Sequence, residues 1–233
     1  MTAEKENIVI APKLGEGIYY LKDIAVILHL DYQLVRRWIA GYWDEDFKST
    51  FGTGKNRALN FHSLIEFYTF YKLREKGVPA QQLRKIHGIM SEELNSQYPF
   101  AKADAFNIEH RTSKKTAKTK KAVYYTSEDS FVKADGKHQI TISETFVKQF
   151  VEKIEYDKNN LAKRFFPLKN SKNIVVDPHH QFGQPTIEGT NIKTKTIYHL
   201  HLGGETNENI CMLYSLSPEK VKDAISFHLK SAA

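Results

Sequence analysis

Cysteine is almost absent from this chain. Cys211 stands alone, so no internal disulfide framework exists and the fold must hold by burial and hydrogen bonding, a usage that suits a reducing cytoplasm. No apolar run approaches the ~20 residues that cross a bilayer, and the opening stretch, Met1 to Asn7, is polar and charged rather than a signal peptide. No internal repeat recurs. The histidine pairs His179–His180 and His199/His201 lack a cysteine or carboxylate set around them. Histidines spaced so do not share a helix face, and no metal or other cofactor is expected. The acidic pairs Asp44/Asp46 and Glu92/Glu93 have no nucleophile and base beside them, which argues against an enzyme. Cys211, between Ile210 and Met212, reads as a buried structural thiol.

What is there suits an ordinary globular chain of 233 residues, 41% hydrophobic and 26% charged, with 14 Phe and 12 Tyr to build cores of modest size. Lys and Arg number 34 against 27 Asp and Glu, a net charge of +7. That excess suits a polyanionic partner, because each neutralised phosphate releases counterions. Its densest run, Arg111-Thr-Ser-Lys-Lys-Thr-Ala-Lys-Thr-Lys-Lys121, has no apolar periodicity. It reads as part of a solvated linker, either a tether or a basic arm along a DNA backbone.

Before the linker the period is helical. Leu21, Ile24, Ala25 and Leu28 recur at three- and four-residue steps, and Leu34, Val35, Trp38 and Ile39 resume after His29-Leu30-Asp31. Asp31 suits an N-cap, and two short helices across so short a break make a helix-turn-helix candidate. The second helix of such a motif aims its early residues at base edges, here Tyr32, Gln33, Arg36 and Arg37. Gln pairs with adenine, and Arg with guanine or phosphate. The alternative is that Arg36 and Arg37 are the wet face of an ordinary amphipathic helix. A Gly/Lys/Thr-rich stretch from Lys48 to Arg57 runs into Ala58–Phe61, an expected short strand. A helix carrying Leu64, Ile65, Phe67, Tyr68, Tyr71 and Leu73 then stops at Gly77, and Pro79 falls in the first turn of the next.

The order of these pieces resembles the winged-helix regulators of the MerR type. Asp31-Tyr-Gln-Leu-Val-Arg-Arg-Trp38 is similar to their recognition helix and Arg57-Ala-Leu-Asn-Phe61 to their wing exit. Leu73-Arg-Glu-Lys-Gly77 to Ile86 is similar to their helix–glycine–helix continuation. The resemblance spans roughly residues 17–95. It implies that Arg36 and the wing Arg57 contact phosphates, that Tyr32, Gln33 and Arg37 read bases, and that Trp38 is core. Lys55, in the wing, joins the DNA-binding set. Two features depart from that family. His29 stands where a glycine is usual, which strains a left-handed turn, and neither metal-binding cysteines nor a long heptad helix follows, so its sensing is not carried over.

After the linker the period shortens. Val123–Thr126 and Ser130–Ala134 read as extended, Asp135-Gly136 as a hairpin turn, and Gln139–Ile142 as its return strand. Ser143 is expected to cap a helix carrying Phe146, Val147, Phe150, Val151 and Ile154. Leu161–Phe166 and Ile174–Val176 read as further strands. Asp177-Pro178, Gly183-Gln-Pro185 and Ile187-x-Gly189-Thr190-x-Ile192 form a turn-rich lead-in to three helices, with Asn207 and Ser217 as caps and Pro218 at a helix start. The lead-in and Gly204-Glu205-Thr206-Asn-Glu208-Asn-Ile210 resemble a small bacterial domain, long of unknown function, found in antitoxins. The usual Arg of its G-T-R-I is Asn191 here. Ile154–Asp157 and Leu161–Phe165 resemble the preceding segment in VapB-type antitoxins that accompany PIN-domain ribonuclease toxins. Such a resemblance implies acidic toxin sites, which Lys163, Arg164, Phe165 and Phe166 would block by pairing cation with carboxylate. The alternative is a buried strand with Lys163 and Arg164 on its wet edge.

The expected fold class is α+β, mainly α. It comprises a polar tail over 1–12, a winged helix-turn-helix over 13–100 and a basic linker over 101–122. A small β-hairpin/helix segment over 123–172 and a C-terminal three-helix cluster over 173–233 complete it. The expected function is that of a cytoplasmic type II antitoxin binding double-stranded operator DNA and a PIN-domain ribonuclease toxin, as a homodimer, with no membrane role. A stand-alone regulator whose C-terminal domain dimerises is the alternative, and the C-terminal cluster itself reads as a possible second helix-turn-helix with Lys193 and Lys195 toward phosphate.

Overall fold

The computed structural model describes residues 13, 15–41, 43, 50–52, 54–103, 124–126, 130–132, 139–140 and 151–229. The fold is mixed α+β and mainly helical, with small antiparallel sheets, as the sequence leads one to expect. Among the described residues no helix is long and apolar enough to cross a membrane. The chain divides into two compact units, one of residues 1–61 with 176–233 and the other of 62–175.

The first unit begins with β1 (Tyr19–Tyr20), α1 (Leu21–Leu28) and α2 (Tyr32–Trp38). Leu21, Ile24, Ala25 and Ile27 bury one face of α1, and Tyr20 N–H donates to the Asp23 carboxylate at 3.0 Å to close its first turn. The helix ends on His29 in the left-handed region (φ 51°, ψ 52°), where Leu30 N–H reaches back to the Ala25 carbonyl at 2.9 Å. A residue with a Cβ gives up about 1 kcal/mol or more in that conformation. The His29 ring sits edge-on to Phe227 at 5.0 Å, a contact that offsets part of the strain. Asp31 caps α2 as expected, accepting from Leu34 N–H at 2.8 Å. Strands β2 (Thr50–Phe51) and β3 (Ala58–Leu59) form a hairpin, and β1 pairs on the far side of β3. Leu59 lies opposite both Tyr19 and Thr50. The expected strand over Ala58–Phe61 is shorter than anticipated, because Phe61 already opens the next helix.

The same unit holds β10 (Thr186–Ile187) and three helices, α5 (Thr194–Leu202), α6 (Asn207–Tyr214) and α7 (Pro218–Leu229). Ile197, Ile210, Val221, Ala224, Ile225 and Phe227 are their buried apolar side chains. Thr194 ties the cluster together: its hydroxyl lies 3.3 Å from the Pro185 carbonyl and 2.9 Å from His228 Nε2. The cap of α6 is Thr206, which accepts from Asn209 N–H at 3.2 Å, rather than the expected Asn207. Asn207 is the first helical residue, one place too late to cap. Ser217 caps α7 as expected, accepting from Lys220 N–H. Cys211 is half-buried rather than fully enclosed.

The second unit is built on α3 (Phe61–Glu75, from His62 onward) and α4 (Ala80–Glu93). From Ser63 to Phe70 every side chain of α3 is buried, the signature of a helix enclosed on all sides. Glu66 is among them. One of its oxygens accepts from Phe100 N–H at 2.8 Å and the other meets His87 Nε2 at 2.7 Å. Burial pushes the Glu66 carboxyl up, and the two donors restrain the shift. Pro79 is the N-cap of α4 rather than its first helical residue, and Gly77, at φ 86°, makes the turn before it. Strands β4 (Tyr124–Thr126), β5 (Ser130–Val132) and β6 (Gln139–Ile140) pair antiparallel in sequence. The β5–β6 pair is the expected hairpin, its Asp135-Gly136 turn lying outside the described residues, and the β4–β5 pair is one the sequence reading did not include. The helix expected after Ser143 falls over residues outside those described up to 150. Its last expected member, Ile154, instead opens strand β7 (Ile154–Tyr156). That strand pairs antiparallel with β8 (Ala162–Phe165), while β9 (Ile174–Val175) closes the unit.

Candidate nucleic-acid interface and partner surface

Helix α2 buries Val35 and turns Gln33, Arg36 and Arg37 to solvent, with Tyr32 half-buried beside them. The separation follows from the sequence: residues 33, 36 and 37 share a face, and the Asp31 cap fixes where that face begins. The wing hairpin β2–β3 belongs to the sheet that feeds α1 through β1. Its tip holds Gly52 at φ 67° and a 3-10 turn over Gly54–Asn56, so Lys55 lies in the tip and Arg57, half-buried, follows directly. A Cβ on Gly52 would meet the Asn56 carbonyl oxygen at 2.5 Å, so only glycine closes this turn. One expectation is corrected here. Trp38 is half-buried rather than core, and the deep aromatic position belongs to Trp43, fully buried with Ile39.

The turn-rich lead-in has specific work in the same unit. Asp177 accepts from His179 N–H at 2.9 Å, and the Thr190 hydroxyl donates to the Ile187 carbonyl at 2.8 Å while accepting from Ile192 N–H at 3.1 Å. Gly183, at φ 81°, leaves no room for a side chain, because a Cβ there would overlap the Tyr19 hydroxyl. Gly17 approaches the same ring, where a Cβ would lie 2.8 Å from it. Tyr19 is thus wedged between two glycines in the strand that starts the helix-turn-helix. Burial pushes its hydroxyl well above the ordinary tyrosine range. Sequence reading finds Gly183 as a turn former and misses that it seats a tyrosine from a distant stretch of the chain.

In the second unit the Lys163–Phe166 segment is strand β8 and its exit. Phe165 (1% exposed) packs at 4.9 Å against Tyr68 with the rings tilted by 57°, and Phe166 is buried beside it. Lys163 is exposed. Arg164 Nη2 and Nε lie 2.5 and 3.1 Å from Glu155 Oε2 across the β7–β8 pair. The Arg164 hydrogen bond holds the Glu155 carboxyl below its usual range. Arg164 and Lys172 both lie over the Phe166 ring, at 5.5 and 5.1 Å. Lys172 has no sequence signal of its own, since the turn that returns it to Phe166 is irregular. The four residues therefore divide into an exposed cation, Lys163, a half-buried one, Arg164, and two buried aromatics that support them. Among the described residues no group of three or more His, Cys, Asp or Glu is placed to hold a metal ion.

Comparison with known proteins adds three findings. Residues 174–228, the lead-in and the three helices, match a family described as "Protein of unknown function (DUF433)". The chain is 21% identical over 189 residues, 74% of its own length and 72% of the relative's, to a Mycobacterium tuberculosis protein named "Putative antitoxin VapB45". The crystal structure of Rv2018 from Mycobacterium tuberculosis superposes with a TM-score of 0.63 at 17% identity, covering 89% of this chain and 96% of that one. At such identity the likeness is one of fold.

Proposed function

We propose that this chain is a cytoplasmic antitoxin of a type II toxin–antitoxin system, not an enzyme, which represses its own operon and neutralises a PIN-type ribonuclease. The similarity to a protein named as an antitoxin supports the antitoxin role. The observation that carries the DNA-binding half is the outward set of Gln33, Arg36 and Arg37 on a capped helix after a helix-turn-helix turn. In this reading α2 enters the major groove, Tyr32, Gln33 and Arg37 read bases, and Arg36, Lys55 and Arg57 hold phosphates. A homodimer would present two such helices to a two-fold operator. R36A/R37A is expected to weaken binding to the chain's own upstream duplex at least about tenfold. Its salt dependence should flatten by about one unit of slope for each phosphate that is no longer neutralised. Equal binding of upstream and random duplex by the unaltered protein would sink this half.

For the toxin, Lys163 and Arg164 present the charge, and Phe165 and Phe166 fix the strand that carries it. Glu155 is only half-buried, so releasing Arg164 from it costs on the order of 1 kcal/mol. Co-expression with the neighbouring gene should yield a complex that K163E/R164E abolishes. One observation favours a second reading, a stand-alone regulator. Both aromatics are already buried within the chain, leaving no free anchor at that site. A chain that purifies with no partner from that co-expression would favour it.

A further inference from the structure

The α6–α7 pair repeats the turn between α1 and α2. In both, an eight-residue helix ends on a non-glycine residue in the left-handed region, His29 at φ 51°, ψ 52° and Ser215 at φ 52°, ψ 43°. The next residue is leucine in each case, and its N–H reaches back to Ala25 at 2.9 Å or Cys211 at 3.0 Å. A capping side chain follows, Asp31 or Ser217. The counterpart of α2 is α7, which carries Lys220 and Lys222. The helix before it does not share that charge: from 196 to 219 the chain contains no Lys or Arg, in a protein that has 34.

On α6 only Ile210 is buried. Met212 is 73% exposed and Leu213 69%. Glu208 lies one helical turn before Met212. Asn209, one turn before Leu213, donates its side-chain amide to Glu205 at 3.4 Å. Two apolar side chains and two carboxylates thus share the outward face. Leu202, at the end of α5, is also exposed, at 63%. Solvent-facing apolar residues that are grouped rather than scattered are the kind that mark contact surfaces.

We propose that this face of α6 docks a partner protein through a helix or strand that brings an apolar side chain flanked by Lys or Arg. Charge selects the occupant. Glu205 and Glu208 repel the phosphates of duplex DNA and the headgroups of an anionic membrane. A two-fold contact with a second copy would set these carboxylates against each other. A basic amphipathic segment pairs with both while Met212, unbranched and polarisable, adapts to its apolar side. The proposal does not depend on the DNA-binding or antitoxin reading.

The probe is a labelled helical peptide of Leu and Lys, with a Leu and Glu peptide as control, followed by fluorescence anisotropy against the full-length chain at low and physiological salt. The unaltered protein should bind the Lys peptide and ignore the Glu peptide. M212S/L213S should weaken binding about tenfold, a difference of about 1.4 kcal/mol. E205Q/E208Q should weaken it severalfold and flatten its salt dependence. All four residues are exposed, and circular dichroism melts check that each variant folds. Equal binding by the unaltered chain and both variants overturns the proposal. So does an M212S/L213S chain that binds peptide normally and loses only self-association in sedimentation, or only duplex binding.

Discussion

At the residue scale the most constrained contact is Tyr19 against Gly183. The glycine sits at φ 81° and a Cβ there overlaps the phenol oxygen. Alanine at this position meets both penalties, the left-handed backbone and overpacking, which together amount to about 2–5 kcal/mol. Urea titration of G183A should show a loss of that size. The Tyr19 hydroxyl has no hydrogen-bond partner among the described residues. Removing it in Y19F should therefore be neutral or slightly stabilising, and Y19F/G183A should recover part of what G183A loses, a coupling that a double-mutant cycle reads directly. Neither residue advertises this role in the sequence. Tyr19 looks like one aromatic among many, and Gly183 like a loop former, because nothing in local spacing encodes a contact between stretches so far apart.

Elements were legible where their information is local. The stop at His29, the Asp31 cap, the short strand at Ala58 and the hairpin after Ser130 follow from periodicity and turn chemistry over a few residues. Ile154 defeated the same reasoning. Its spacing from Phe150 and Val151 fits a helix, yet pairing with Phe165 across β7–β8 claims it for a strand. The helix cluster also carries a pH response that only its packing reveals. Burial, then the nearby charges of His199, Lys195 and His29, lowers the His228 ring to about 4. In the unfolded chain histidine titrates near 6.5. The folded form thus prefers the neutral ring. Its stability is intact above the unfolded value and falls as pH drops from about 6.5 toward about 4. Over that window the unaltered chain should lose more thermal stability than H228Q, in which the titration is gone. Parallel melting curves at each pH would contradict this.

At the scale of the whole molecule, the first compact unit is held by segments that the sequence keeps apart. Residues 1–61 share a unit with 176–233. Within it Gly15 lies so close to His179 that a Cβ would fall 2.7 Å from the ring. A chain ending at residue 173 lacks the partners of Tyr19, Gly15 and His29. It should unfold without a cooperative transition in its first sixty or so residues, by circular dichroism, and bind duplex at least about tenfold more weakly than the full chain. The linear division into consecutive segments could not anticipate this, since apolar periodicity reports which face is buried and not what buries it. The contact of His29 with Phe227 has a temporal side as well. During synthesis the helix-turn-helix emerges first and waits, its strained turn unsupported, until Phe227 has left the ribosome. A message cut short would therefore yield chains that carry α2 without the aromatic against which the turn before it leans.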